Sequence, residues 1–185
     1  MQKHELESVI EDSYGKYLPI DCGDVATYIP ELGKADPSDL GICLVTWDGR
    51  TFEVGNCDRA FTIQSISKPF AFGMAIEELG SDRVFESVFE PGSVKDILSI
   101  MFTCGMYDYA GHWAYQVGIP AKSGVSGGVM AVVNRQLGIA TYSPRLDAHG
   151  NSVRGIGVCR ELASRLGLHA FDILNSGSRF LDAML

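Results

Sequence analysis

Clusters of positive charge are missing from this sequence. Its 15 lysines and arginines are outnumbered by 23 acidic residues, a formal net charge of −8. Recognition of a phosphate backbone needs a basic footprint, so nucleic acid is excluded as a partner class, and an anionic membrane surface is disfavoured for the same reason. Long apolar runs are missing too, since none approaches the ~18 residues of a membrane span. The opening Met1-Gln-Lys-His-Glu-Leu-Glu7 holds no apolar segment of the secretory kind. Cysteine pairs at C-x-x-C spacing are absent. The five cysteines (Cys22, Cys43, Cys57, Cys104, Cys159) are scattered and odd in number, which reads as reduced, mostly buried thiols of a cytoplasmic protein. The four histidines (His4, His112, His149, His169) lie far apart, so no metal site is expected. There are no repeats and no low-complexity tracts.

What is present suits one domain. A chain of 185 residues, 46% hydrophobic and 21% charged, can bury a sizeable core. Leu6, Val9, Ile10, Tyr14 and Tyr17 recur at helical spacing across 4–18, with acids on the other face. Asp24 is placed to cap a short second helix that includes Tyr28 and ends near Pro30. Leu40–Trp47 and Arg50–Val54 are strand-like runs joined by Asp48-Gly49, a tight hairpin turn. Pro69–Ile76 is nearly all apolar and predicts a buried helix to about Leu79, stopped by Gly80. Asp82–Val88 adds a turn of helix, and Ser93 caps another helix that ends before Gly105. Tyr107–Gly118 reads as a loop or short helix. Ala121–Val133 reads as a glycine-rich turn feeding a strand, and Leu137–Tyr142 as the next strand. Asn151 or Ser152 caps a last helix to about Leu166. The order predicts an α+β fold, with helices packed on an antiparallel sheet.

Chemistry concentrates in Phe61-Thr-Ile-Gln-Ser-Ile-Ser-Lys68. Ser65 and Lys68 stand three apart, on one face of a helix's first turn. A serine hydroxyl attacks poorly until a base takes its proton. Lysine serves as that base once its pKa, about 10.4 unperturbed, is lowered toward roughly 7–8. The apolar flanks Ile63, Ile66 and Phe70 offer the desolvation. An equally ordinary account is a capping serine beside a solvated lysine. The second motif, Lys122-Ser123-Gly124 entering a strand, changes the balance. S-x-x-K on a helix with K-[ST]-G on a sheet-edge strand is the signature set of serine β-lactamases and penicillin-binding proteins. There the strand lends a backbone N–H to an oxyanion hole. Taken alone, Gly124, Gly127 and Gly128 are just a flexible turn. Tyr107 is open to two readings as well, a proton relay or a core tyrosine with its hydroxyl paired.

Longer strings carry a resemblance. Phe61–Lys68, Phe102-Thr-Cys-Gly-Met-Tyr-Asp108, Gly118-Ile-Pro-Ala-Lys-Ser-Gly-Val-Ser-Gly-Gly128, Tyr28-Ile-Pro-Glu-Leu32 and Ser143–Ser152 resemble the bacterial and kidney-type glutaminases. The likeness covers roughly 5–90 and 94–172 in family order. It implies a β-lactamase/transpeptidase-like α+β fold, an antiparallel sheet flanked by helices. It also implies hydrolysis of L-glutamine, a small-molecule substrate, to L-glutamate and ammonia, without a cofactor. By resemblance, Ser65 is the nucleophile, Lys68 its general base, and Tyr107 the substrate-contacting tyrosine that assists proton transfer. Val125 resembles the residue whose backbone N–H, with that of Ser65, forms the oxyanion hole. Tyr28 and Gln64 match pocket-lining residues.

One departure is large. The family's central helical segment, most of its all-α subdomain, has no counterpart between about 88 and 94, and the residues it contributes to grip glutamine's α-amino and α-carboxylate groups go with it. The expectation is a single glutaminase-like domain over 1–185 with Phe70, Phe72 or Met74 uncovered, and a homo-oligomer that hides that face. Two other readings stay open, a non-catalytic remnant or interaction subunit, and an esterase or β-lactam-acylated protein of the same fold.

Overall fold

A computed structural model describes residues 3–79, 93–134 and 136–172. The expected helical turn at Asp82–Val88 lies outside the described residues. Helix α1 (Lys3–Tyr17) leads into a two-residue strand β1 (Asp24–Val25), then the hairpin β2 (Gly41–Thr46) and β3 (Thr51–Gly55). Helices α2 (Ser67–Leu79), α3 (Ser93–Cys104) and α4 (Ala110–Gln116) follow. Strands β4 (Ala121–Ser123), β5 (Gly128–Val133), β6 (Leu137–Tyr142) and β7 (Arg145–Leu146) precede α5 (Val153–Leu166).

Five strands form one antiparallel sheet in the order β3-β2-β6-β5-β4, and β1 pairs with β7 separately. This is the α+β arrangement that the sequence predicts. Period-two alternation sorts the sheet's faces. Ile42, Leu44, Val129, Ala131, Leu137 and Ile139 point to the core, where α1 and α5 add Leu6, Ile10 and Leu162, all buried. The opposite face carries Lys122, Met130, Ala140 and Cys43, neighbours across the ladder.

Local signals explain most element ends. Gly49 takes φ +84 in the β2–β3 turn, a conformation that costs glycine little. The Ser152 hydroxyl accepts from the Gly155 N–H at 3.1 Å and so caps α5. Three expectations are corrected. Asp24 caps no helix, because its backbone pairs with Leu146 as strand β1. The glycine-rich turn before β5 is itself preceded by a strand, β4. Only Cys159 is a buried thiol; Cys22 and Cys104 are exposed and Cys43 and Cys57 half-buried, all of them free. Among the described residues, no helix is long and apolar enough to cross a membrane.

Helix α2 is not buried all round. Phe70 is 53% exposed and Met74 65%, and on α3 Val94 and Ile100 are exposed as well. They are exposed apolar side chains on two helices, α2 and α3, that pack on one another. The expected uncovering of Phe70 and Met74 is what the structure has, whereas Phe72 is half-buried.

Candidate active site

Ser65 sits in a single 3-10 turn, Gln64–Ile66, immediately before α2 and not within it. The Ser67 hydroxyl donates to the Gln64 carbonyl at 2.7 Å and closes that turn. Pro69 falls in the first turn of α2, where its missing N–H leaves no hydrogen bond unmade. The turn rests on the glycine loop between β4 and β5. A Cβ at Gly124 would meet the Ile63 carbonyl at 3.2 Å, and one at Gly128 would run into the Ile66 side chain. Glycine therefore lets the Lys122-Ser123-Gly124 strand and the Ser65 turn pack backbone against backbone.

Tyr107 follows α3 and points at the same place. Its hydroxyl donates to the Ser123 carbonyl at 3.0 Å. Burial pushes the phenol's pKa up, and the Ser65 hydroxyl, within reach of it, offsets part of that rise. Tyr28, 68% exposed, lies close enough to act electrostatically on Tyr107. Gln64 and Tyr107, with φ of 49° and 54°, are the non-glycine residues held at positive φ among the described residues. Strain of this kind costs of order 1–3 kcal/mol and gathers at functional sites. Here it marks the neighbour of the serine and the tyrosine that reaches it.

The lysines divide differently from expectation. Lys68 is exposed, and among the described residues it makes no hydrogen bond or ion pair, with Ser65 or with anything else. The flanks expected to desolvate it do not, because Ile63 is 49% exposed and Phe70 53%; only Ile66 is buried. Lys122 is the buried amine. Its Nζ donates to the Ser123 carbonyl at 2.6 Å and the Gly105 carbonyl at 3.0 Å, and lies 4.5 Å from the centroid of the Tyr107 ring. Burial first, then the charge of Lys68, brings its pKa down to about 8. In the sequence the K-S-G motif points to its backbone and assigns the Lys122 side chain no role. A lysine set in an apolar strand next to glycine was the available signal.

Lys68, Tyr107 and Lys122 share one cavity of about 390 Å3 whose remaining walls are apolar, from α2 and α3. Gln64, half-buried, donates its Nε2 to the Thr62 hydroxyl at 3.2 Å, and Val125 is half-buried in the β4–β5 turn. Around that turn the buried Ser123 and Ser126 hydroxyls have no hydrogen-bond partner among the described residues, as is also true of side-chain atoms of Asp96, Gln136, Thr141 and Arg145. Asn151, also buried, donates to the Met106 carbonyl at 3.3 Å beside Tyr107. Among the described residues no three His, Cys, Asp or Glu side chains gather as a metal site would need.

The chain matches known proteins over most of its length. The glutaminase family profile matches residues 23–93 and 86–171. A glutaminase of Trichormus variabilis is 32% identical, covering 90% of each chain, and one of a Nostoc species is 31% identical over 94% of this chain and 92% of the relative. The first alignment spans 302 positions against the 185 residues here, so more than a hundred positions of that relative have no counterpart. A solved structure of a probable glutaminase from Bacillus subtilis, complexed with 6-diazo-5-oxo-L-norleucine, superposes with a TM-score of 0.81 at 23% identity, covering 92% of this chain and 99% of that one.

Proposed function

The chain belongs to the glutaminase family and has its β-lactamase-like fold, and from that premise we propose that it hydrolyses the side-chain amide of L-glutamine through an acyl-enzyme on Ser65. The observation that carries the reading is the convergence of the Ser65 hydroxyl, the Tyr107 phenol and the Ser123 carbonyl on the glycine loop. Ser65 Oγ attacks the amide carbon while its proton passes to the Lys68 amine. The backbone N–H groups of Ser65 and Val125 take the developing oxyanion. Tyr107 relays a proton to the departing nitrogen, which leaves as ammonia, and water then releases glutamate from the ester. Catalytic contacts that are long in a free enzyme tighten on substrate binding, and Lys68, unengaged here, closes on Ser65 in that step. Tyr28 and Gln64 line the pocket. No cofactor takes part, and the free thiols favour a reducing, cytoplasmic setting.

We also read the chain as one glutaminase-like domain with the family's central segment absent between about 88 and 94. Loss of that segment removes positioning groups, and each buried charge-assisted bond to an amino-acid substrate is worth roughly 1.5–3 kcal/mol. Turnover is accordingly low, and the test is one of dependence on serine. Ammonia released from L-glutamine is to be measured for the native chain and for Ser65→Ala. Release that vanishes in the variant supports the reading, and equal release from both rejects it. A second reading, an acyl hydrolase of esters or β-lactams, is favoured by the open apolar cavity beside Tyr107. Serine-dependent cleavage of a chromogenic ester without ammonia release would select it.

The exposed Phe70, Met74, Val94 and Ile100 support self-association through the α2–α3 flank. Light scattering after size exclusion is expected to give an oligomer for the native chain and a monomer for the Phe70→Lys, Met74→Lys double variant. A native monomer defeats this proposal.

A further inference from the structure

The cavity between α2 and α3 has a mixed lining. Phe72, Ile97, Ile100, Met101 and Cys104 supply apolar wall. Among the described residues the polar side chains that line it, apart from the Cys104 thiol, are Lys68, Lys122 and the phenol of Tyr107, with Lys122 Nζ 4.5 Å from the Tyr107 ring centroid and within electrostatic reach of Lys68. Two amines thus border one largely apolar space, and no described lining residue is an acid. Lys68 has no hydrogen bond or ion pair among the described residues. Lys122 spends two of its three N–H groups on the Gly105 and Ser123 carbonyls and, as an ammonium, keeps one. Both amines thus keep donor capacity beside apolar walls, Lys68 from a solvent-exposed position, and an anion set between them would gain a charge-assisted contact from each. At about 390 Å3 the space lies within the ~300–1,000 Å3 of small-molecule sites.

We propose that this cavity binds a medium-chain monocarboxylate, with the carboxylate between Lys68 and Lys122 and the alkyl chain along the walls from α2 and α3. Several features select this class. The paired amines call for an anion, and the one N–H that Lys122 has left favours a small planar head over a trianionic one. The apolar walls reject short hydrophilic acids, and the absence of acids among the described lining residues disfavours amines. The proposal shares Lys68 and Tyr107 with the proposed glutamine site but does not depend on the serine, since it needs only the amines and the walls.

The test therefore uses the full chain carrying Ser65→Ala, in which no acyl transfer can intervene, titrated calorimetrically with decanoate below its micelle concentration at fixed salt. Saturable one-to-one binding is expected, with decanol and butyrate each weaker by about tenfold or more, the loss of one charge-assisted contact or of the apolar burial. Lys68→Gln, at an exposed position that leaves the fold intact, is expected to weaken decanoate by about tenfold and leave decanol unchanged. Cys104→Trp, also at an exposed residue, fills the cavity and is expected to abolish both. Circular dichroism confirms that each variant is folded. Failure of the folded chain to bind decanoate, equal affinity for decanol, or indifference to both substitutions overturns the proposal. None of these results bears on ammonia release by the native chain, so the two readings fail separately.

Discussion

Gly105→Ala is expected to cost more than about 4 kcal/mol and to lower Tm by on the order of 10 °C. Gly105 follows α3 directly and forms the seam between that helix and β4. Its N–H donates to the Met101 carbonyl at 3.1 Å, and its carbonyl accepts from the Ser123 N–H and from Lys122 Nζ, each at 3.0 Å. A Cβ there would fall inside the contact radius of the Ala121 and Met101 carbonyl oxygens. Both obstacles are backbone, so no side chain can rotate away, and relief requires α3 to part from β4. Parting them would also release Tyr107 and Lys122 from the Ser65 turn. The prediction therefore joins stability to the site: thermal unfolding should fall and serine-dependent turnover should fall with it. Gly111→Ala supplies the control, because a Cβ there meets nothing within 4 Å. In the first turn of α4 that exchange is expected to be neutral or to gain at most roughly 0.5 kcal/mol. Comparable losses from the two substitutions would refute the seam.

Gly105 also shows where sequence reasoning stops. Its motif, Cys104-Gly-Met-Tyr-Asp108, was legible as a string and gave the family, yet nothing local says that the glycine is required because β4 passes over it. Signals confined to a few neighbouring residues were read well. The Asp48-Gly49 hairpin, the Ser152 cap and the end of the last helix before Gly167 are each fixed within one turn of chain, and each is where it was predicted. The failures depend on distant partners. Strand β1 exists because Asp24 and Val25 meet Leu146 and Arg145 across the molecule, and two residues are too short for any periodicity to announce. The apolar run of α2 by itself reads as a buried helix; that Phe70 and Met74 are uncovered follows from the missing family segment and not from the run, because an element is buried only if something covers it. Lys68 departs from its expected environment, and Lys122 gains a burial that its motif does not announce, for the same reason. Lys68 has apolar neighbours in sequence and an exposed amine in space. Lys122 is buried by α3 and Tyr107, which arrive from outside its own strand. The serine and the tyrosine were found by motif, whereas the perturbed amine required the fold.

Lys122→Met is expected to change the pH dependence of both stability and turnover. Burial, and then the charge of Lys68, brings the folded-state pKa of Lys122 down to about 8 from the 10.5 of a free lysine. Between about pH 8 and 10.5 the folded chain therefore holds fewer protons at this site than the unfolded chain. Stability contributed by the site then rises with pH across that window and is flat outside it. The variant lacks this slope, so the difference in urea midpoint between native and variant chains should shift toward the native as pH goes from 8 to 10.5. At pH 7 the variant is expected to match or exceed native stability, since exchanging a buried charge for an apolar chain of similar length is often neutral or stabilising. The carbonyls it abandons retain partners, Ser123 in the Tyr107 hydroxyl and Gly105 in the Ser123 N–H. A neutral Lys122 keeps two N–H groups for its two carbonyls, so deprotonation leaves its hydrogen bonds whole while removing a charge 4.5 Å from the Tyr107 ring. Turnover should respond where stability does not. The phenol keeps its hydrogen bond to Ser123 but loses the neighbouring amine that assists its proton transfer, and kcat is expected to fall by about 10²-fold, together with loss of an inflection near pH 8 in kcat/KM. A variant that keeps both the inflection and the native slope of stability would show that another group titrates there, and that Lys122 serves only as a strut between α3 and β4.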